Sequence, residues 1–349
     1  MKNTKNITAL GPASSANLGS GFDCFAISLD NLYDTVKISR NNNSGISIKN
    51  LGLKSNIPTK PEEHTGGIVA INILKEFNLP GIDLTVDKGV PPGKGLGSSA
   101  ATASAVAVGL NKMFSLKLSK QELLKFAASG EIASAGVAHM DNVAGSLFGG
   151  FVVINSSTCD DIVSFLPPKN LHVCIGTPKM KSVAKKTGKA RKLIPTKVKF
   201  TDSIINVSYA AMMVAGFSTG NKDLIGKSMN DTIVETARSN TIPNYYKLKS
   251  ELLELGALGV TISGARPSVI SFLDNKKSFP KIKSSIEPFN KSREIKDDDE
   301  IKILKKASKI IDEMFGICQK KIKSGQKESE LQAILMSYAV ENEMFDTGY

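Results

Sequence analysis

The stretch PPGKGLGSSAA, Pro91 to Ala101, sets three glycines and two serines between an apolar, strand-like run and an alanine-rich run. Glycines at this density let the main chain approach a ligand closely or turn through positive φ. Ser98 and Ser99 then stand where the following helix opens, and the free N–H groups of a helix start carry partial positive charge. The chemistry open to such a stretch is anion binding, with phosphate the natural guest. Two better-known phosphate loops do not fit. The pattern GxxxxGK[ST] is absent, because Lys94 precedes the second and third glycines. A dinucleotide fold would need a second strand ending in an acidic residue ~20 positions on, where this chain reads as a second helix. The plainer alternative is a small-residue turn that only packs a helix.

The flanking elements must hold that loop. GIDLTVDKGV before it alternates like a strand, and SSAATASAVAVGLNKMF after it reads as a helix. Upstream, ITALGPASSANLGSGFDCFAISLDNLYDTVKISR predicts a strand, a small-residue turn and further strands, and GGIVAINILKEFN has helical spacing. SKQELLKFAASGEIASAG predicts another helix, with Ser119 as N-cap and Glu122 three positions on. FVVINSS and LHVCIGTP read as strands around a domain change. Helices fill Asp202 to Leu255, and ALGVTISGARPSVISFL reads as strand, turn, strand. From Arg293 the texture shifts to a lysine- and acid-rich amphipathic helix, the one clear compositional boundary.

A chain of 349 residues can build a sizeable two-domain core, and 41% apolar with 22% charged residues is ordinary for a soluble globular protein. No apolar run reaches the ~18 residues of a membrane span, and MKNTKNITALGPASSANLG is too polar for a secretory leader. Cys24, Cys159, Cys174 and Cys318 lie far apart and form no zinc spacing with the three histidines. A reduced, cytoplasmic protein is expected. The net charge of +12 is uneven: residues 293–349 hold 10 Lys+Arg against 12 Asp+Glu, the rest 35 against 21. That excess attracts polyanions. The lysines are dispersed, Trp is absent and no aromatic–basic alternation occurs, so a nucleotide is favoured over nucleic acid.

The Pro91–Ala101 stretch resembles the PxxxGLGSSAA motif of the GHMP kinases. PASSANLGSGFD, Pro12 to Asp23, resembles the N-terminal motif of the homoserine kinases within that superfamily. GALGVTISGARPSV, Gly256 to Val269, resembles the superfamily's C-terminal GxxGxxxSGxGPTV loop, and GVAHMDNVAGSLFGGF lies between. The resemblance spans roughly residues 6–290 and implies a two-domain α+β fold. Residues 1–155 would form an ATP-binding domain like ribosomal protein S5 domain 2, and 156–292 a ferredoxin-like domain, with the active site in the cleft between them.

It further implies ATP-dependent phosphorylation of L-homoserine, with ATP and Mg²⁺ as cofactors and no nucleic-acid or membrane partner; a homodimer is the expected assembly. Pro91, Pro92, Gly93, Lys94, Gly95, Leu96, Gly97, Ser98, Ser99, Ala100 and Ala101 would form the nucleotide loop. Ser98 and Glu131 would hold the metal, although spacing alone reads Glu131 equally as a solvated helix carboxylate. Arg191 and Arg238 match the family arginines that would take the substrate carboxylate; Asp23 would take its ammonium. Asn17 and His139 would complete the hydrogen bonding, and Asp141, with Asn17, is the candidate for catalysis, as general base. Two rivals stand beside this reading: a relative acting on mevalonate or shikimate, and a nucleotide-binding protein with impaired turnover.

Two features depart from the family pattern. SGARP carries Arg266 where the family loop has glycine, which predicts strain and weakened turnover. Residues 293–349 resemble the opening helices of the creatinase-like fold of Xaa-Pro peptidases and methionine aminopeptidases. That fold's metal ligands are missing here, so no peptidase activity is expected, and the kinase's expected last strand after FPKIKSSIEPFNK is not evident.

Overall fold

The computed structural model describes residues 5–41, 45–53, 57–135, 140–158, 160–178, 191–265, 268–274 and 298–323, together with 325, 326, 329–331, 335 and 338. The chain falls into two compact units, Met1–Ser292 and Arg293–Tyr349.

The first unit opens with strands β1 (Asn6–Ala16), β2 (Phe25–Arg40) and β3 (Ile46–Gly52), helix α1 (Thr65–Glu76) and strand β4 (Ile82–Lys88). Helices α2 (Ser98–Phe114), α3 (Lys120–Ala135) and α4 (Met140–Phe148) follow, then strands β5 (Phe151–Ile154) and β6 (Ile162–Phe165). The long β2 is the hub of the sheet, pairing antiparallel with β1, β4 and β5, while β3 runs parallel to β4 on the edge. Of these strands β3 and β6 were not foreseen: β3 lies where the Asn-, Gly- and Ser-rich run to about Lys60 reads as a loop, and β6, at four residues that are half-exposed or exposed throughout, is too short for its alternation to be read.

Helix α2 explains its own alanine content. Ala100, Ala101, Ala103, Ala105 and Ala107 are all buried, because the helix packs against the sheet and against α1, α3 and α4. Alanine loses no side-chain entropy in a helix and permits such close neighbours. Gly11 of β1 serves the same end: a Cβ there would lie 1.9 Å from the Ala101 carbonyl oxygen. The first turn of α2 therefore rests directly on β1. The expected cap of α3 is present as a reciprocal pair, with the Ser119 N–H donating to Glu122 Oε2 (2.8 Å) and the Glu122 N–H to Ser119 Oγ (3.3 Å).

A second antiparallel sheet, in the order β7-β9-β8, is built from β7 (His172–Gly176), β8 (Gly259–Ser263) and β9 (Ser268–Leu273). Between β7 and β8 come α5 (Phe200–Thr219), α6 (Lys222–Lys227), α7 (Val234–Ser239) and α8 (Tyr245–Glu254). The two sheets share a core. Phe25 and Phe151 from the first meet Phe217 of α5 and Phe272 of β9, with the Phe151 and Phe217 rings stacked at 3.9 Å. This is the two-domain α+β architecture the motifs implied. Among the described residues no helix is long and apolar enough to cross a membrane. The second unit contains the amphipathic helix α9 (Asp298–Lys321), with the Tyr338 hydroxyl donating to Glu313 at 2.7 Å.

Candidate active site

Strand β4 ends at Lys88, and the chain then turns through Gly93, Gly95 and Gly97, with φ of 72°, 74° and 61°, into α2. These values lie in the left-handed region that L side chains adopt only at a cost. At Gly97 a Cβ would also meet Ser14 Oγ at 2.2 Å. Gly97 is the N-cap of α2 and no side chain caps that end, which leaves the first N–H groups for a ligand.

The loop is fastened from both sheets through its carbonyls. The Ser14 N–H of β1 donates to Leu96 O (3.1 Å), and Ser263 Oγ of β8 to Gly95 O (2.9 Å). Ser268 Oγ of β9 donates to Lys94 O, and Ser15 and Ser263 share a hydroxyl contact at 2.8 Å. Beneath the loop lies a buried ion pair that sequence reading had not singled out. Lys88 Nζ donates to Asp34 Oδ2, to Ser98 O (2.9 Å) and to Thr102 Oγ1 (2.9 Å). Burial pulls the Lys88 ammonium below the ordinary lysine range, against the pull of Asp34.

A cavity of about 400 Å³ opens above this framework. Its wall at the loop end includes Pro92, Gly93 and residues 95–99. Pro91, Lys94, Ala100 and Ala101 do not line it: Ala100 and Ala101 are buried in the core, and the Lys94 carbonyl is bound by Ser268. His64 stands further along the wall as N-cap of α1, its Nδ1 accepting from the Gly67 N–H (3.2 Å) and its Nε2 facing Asn50 Oδ1 (3.2 Å). Burial, with Lys88 nearby, lowers its pKa to about 4.

Ser98 and Glu131 both line the cavity. The Ser98 hydroxyl donates to Val90 O at 2.9 Å, so its oxygen keeps lone pairs for a further partner. Glu131 is buried, and desolvation raises its pKa to about 7, with the Ser99 hydrogen bond opposing and the Asp141 charge reinforcing that shift. A solvated helix carboxylate would not behave so. Asp141, 4% exposed in the first turn of α4, accepts from the Asn142 N–H at 2.7 Å. Asn142 Oδ1 in turn accepts from Ser14 Oγ at 3.0 Å.

The cavity is lined as well by Asn17, Phe22, Asp23, Arg191 and Arg238. Asn17 and Asp23 both take positive φ, 62° and 56°, and the Asp23 N–H donates to Asn17 Oδ1 at 2.8 Å. Arg191 donates to Asp23 Oδ2. Arg238, 4% exposed on α7, donates to Gly264 O at 3.0 Å, and burial lowers its pKa, against the supporting charge of Asp23. The cavity thus brings together residues as far apart in the chain as Asn17 and Ala265. His139 and Arg266 lie outside the described residues.

The chain that builds this cavity is similar to known proteins. Residues 64–150 match the GHMP kinases N terminal domain, and residues 213–291 the GHMP kinases C terminal region. The homoserine kinase of Thermoplasma volcanium is 37% identical over 278 residues, which is 77% of this chain and 85% of that protein. That of Methanococcus maripaludis is 38% identical over 270 residues, 76% and 87% of the respective chains. The chain belongs to the GHMP kinase family. Within it, the crystal structure of homoserine kinase from Cytophaga hutchinsonii superposes with a TM-score of 0.78 at 32% identity, covering 84% of this GHMP kinase and 93% of that chain. The mevalonate kinase of L. major, at 13% identity and a TM-score of 0.67, shares the fold. Both matched family segments end before residue 293.

Proposed function

We propose that this GHMP kinase transfers the γ-phosphoryl group of ATP to the hydroxyl of L-homoserine, giving O-phospho-L-homoserine, in the cytoplasm. The observation that carries the reading is a shared cavity: the same wall holds an anion cradle and a cluster of one carboxylate and two guanidiniums. An amino acid with a side-chain hydroxyl needs both signs. Mevalonate and shikimate have no ammonium group for Asp23. The homoserine kinases of Thermoplasma and Methanococcus support the same choice.

In this proposal the main-chain N–H groups from Gly93 to Ser99 hold the ATP phosphates. Ser98 Oγ and the Glu131 carboxylate hold Mg²⁺, which when bound neutralises phosphate charge during transfer. The donor set fits such an ion. Both ligands are oxygens, and a carboxyl poised near neutrality by burial is readily drawn to its charged form by a cation. Among the described residues no cluster of three His, Cys, Asp or Glu side chains is arranged to hold a metal alone, in keeping with a site completed by phosphate oxygens and water.

Arg191 and Arg238 take the substrate carboxylate, a geometry guanidinium groups match with paired N–H donors. Asp23 takes the ammonium, and Asn17 and His139 supply further hydrogen bonds. Asp141 is the base proposed for the acceptor hydroxyl, with Asn17 orienting the substrate. The chain acts as a homodimer. Residues 293–349, for all their resemblance to a creatinase-like opening, are assigned no part in the reaction. ADP release should require ATP, Mg²⁺ and L-homoserine together. Tight MgATP binding without homoserine-dependent ADP release would instead favour a nucleotide-binding protein, and turnover with mevalonate or shikimate alone would favour another branch of the family. Full turnover by Asp141→Asn would remove that residue as the base.

A further inference from the structure

Phe22 has no role in the assignments above, yet it lies between the groups that matter most at the acceptor end. The Arg191 guanidinium carbon is 5.5 Å from its ring centroid and that of Arg238 is 5.2 Å away. Both distances are inside the ~6 Å within which an aromatic face attracts a cation. We infer that Phe22 is a positioning residue: its ring holds the two guanidiniums apart and aims them at one carboxylate, and so selects acceptors that carry one. The inference rests on the proposed acceptor site.

The backbone around Phe22 is built to keep the ring in place. The Gly21 N–H donates to Leu18 O (3.0 Å), and the Phe25 N–H to Gly21 O (2.9 Å). On the other side Asn17 Oδ1 holds the Asp23 N–H. The turn is also fixed to the second sheet's half of the unit, where Ser20 Oγ donates to Asn230 O at 2.7 Å. A ring on so constrained a turn has little freedom to follow the arginines, so the arginines take their places from the ring.

The arginines, for their part, need such a device. Two guanidiniums converging on one site repel, and the Arg191 charge acts on Arg238 together with its burial. Arg238 spends one N–H on Gly264 O, while its buried Nε has no hydrogen-bond partner. A carboxylate is the ligand that such an arginine lacks. The negative face of the phenyl ring lets both cations sit near each other before that ligand arrives.

The test is calorimetric titration of the full-length protein with L-homoserine and with L-homoserinol, the amino alcohol lacking the carboxylate, alongside steady-state kinetics. Phe22→Leu keeps an apolar side chain and removes the aromatic face. It should weaken L-homoserine about tenfold, leave L-homoserinol within twofold of wild type, and change neither kcat nor KM for ATP. Phe22→Tyr should restore binding. Trifluorinated phenylalanine at residue 22, which keeps the ring's shape and cancels its negative face, should reproduce the Leu phenotype even if Phe22→Leu folds poorly. Unchanged L-homoserine affinity in the fluorinated protein overturns the inference, as does equal weakening of both ligands. If wild type itself binds no L-homoserine, the acceptor assignment fails, and this inference with it.

Discussion

Asp34 accepts four hydrogen bonds in the dark interior under the glycine loop. Its Oδ1 takes the N–H groups of Gly89 (3.1 Å) and Val90 (3.0 Å), and its Oδ2 takes Thr102 Oγ1 (2.6 Å) and Lys88 Nζ. One carboxylate therefore ties together the exit of β4, the start of α2 and the Lys88 ammonium. Asp34 is fully buried and the Lys88 side chain is 3% exposed. Removing one partner strands the other charge, a loss of about 3–5 kcal/mol. Asp34→Ala and Lys88→Met should each show that loss in urea unfolding, and the double variant should lose far less than the two combined. Additive losses would mean that the pair is not coupled. Sequence could not point to Asp34, which sits in LYDTV among alternating strand residues, 54 positions from Lys88. Only the pairing of β2 with β4 brings them together.

At the scale of elements, α1 begins at a cap that is also part of the cavity wall. With Nδ1 accepting from Gly67, the His64 ring must be neutral and carry its proton on Nε2. Its pKa, lowered from 6.5 to about 4, gives the sign of the pH effect. The neutral form is the one the fold favours, so the stability His64 contributes is complete above pH 6.5 and is lost as pH falls toward 4. His64→Ala should cost about 1 kcal/mol near neutrality, and the gap in melting temperature between variant and wild type should narrow on acidification. A constant gap from pH 7 to pH 4 would show that capping is not what His64 supplies. Elements whose cues are local were legible: the glycine loop, the Ser119–Glu122 cap, and the strand–turn–strand of β8 and β9. His64 was not, because histidine is an uncommon cap and its partner Asn50 belongs to another element. Nor was Phe22, whose meaning depends on two arginines supplied by distant helical turns.

For the whole molecule the decisive facts are a large positive charge and one surface that has none. On α5 every exposed position is uncharged, and Phe200 and Val207 are 79% and 68% exposed. Copies of a chain carrying +12 repel one another. An isologous contact sets a patch against itself, so pairing of two copies is easiest where charge is lacking. Sedimentation should therefore give a dimer that Val207→Lys converts to monomer with kinase turnover retained; a wild-type monomer at all concentrations would discard the pairing. The composition foretold the net charge, whereas the bare face of α5 emerges only once burial has sorted its positions. The acceptor pocket has a consequence at this scale as well. Asp23 and Arg191 already neutralise each other in the free protein, so a lone sodium ion held at Asp23 would orphan Arg191. In the proposed acceptor site a zwitterion would replace both halves of the pair in a single exchange, leaving neither charge stranded.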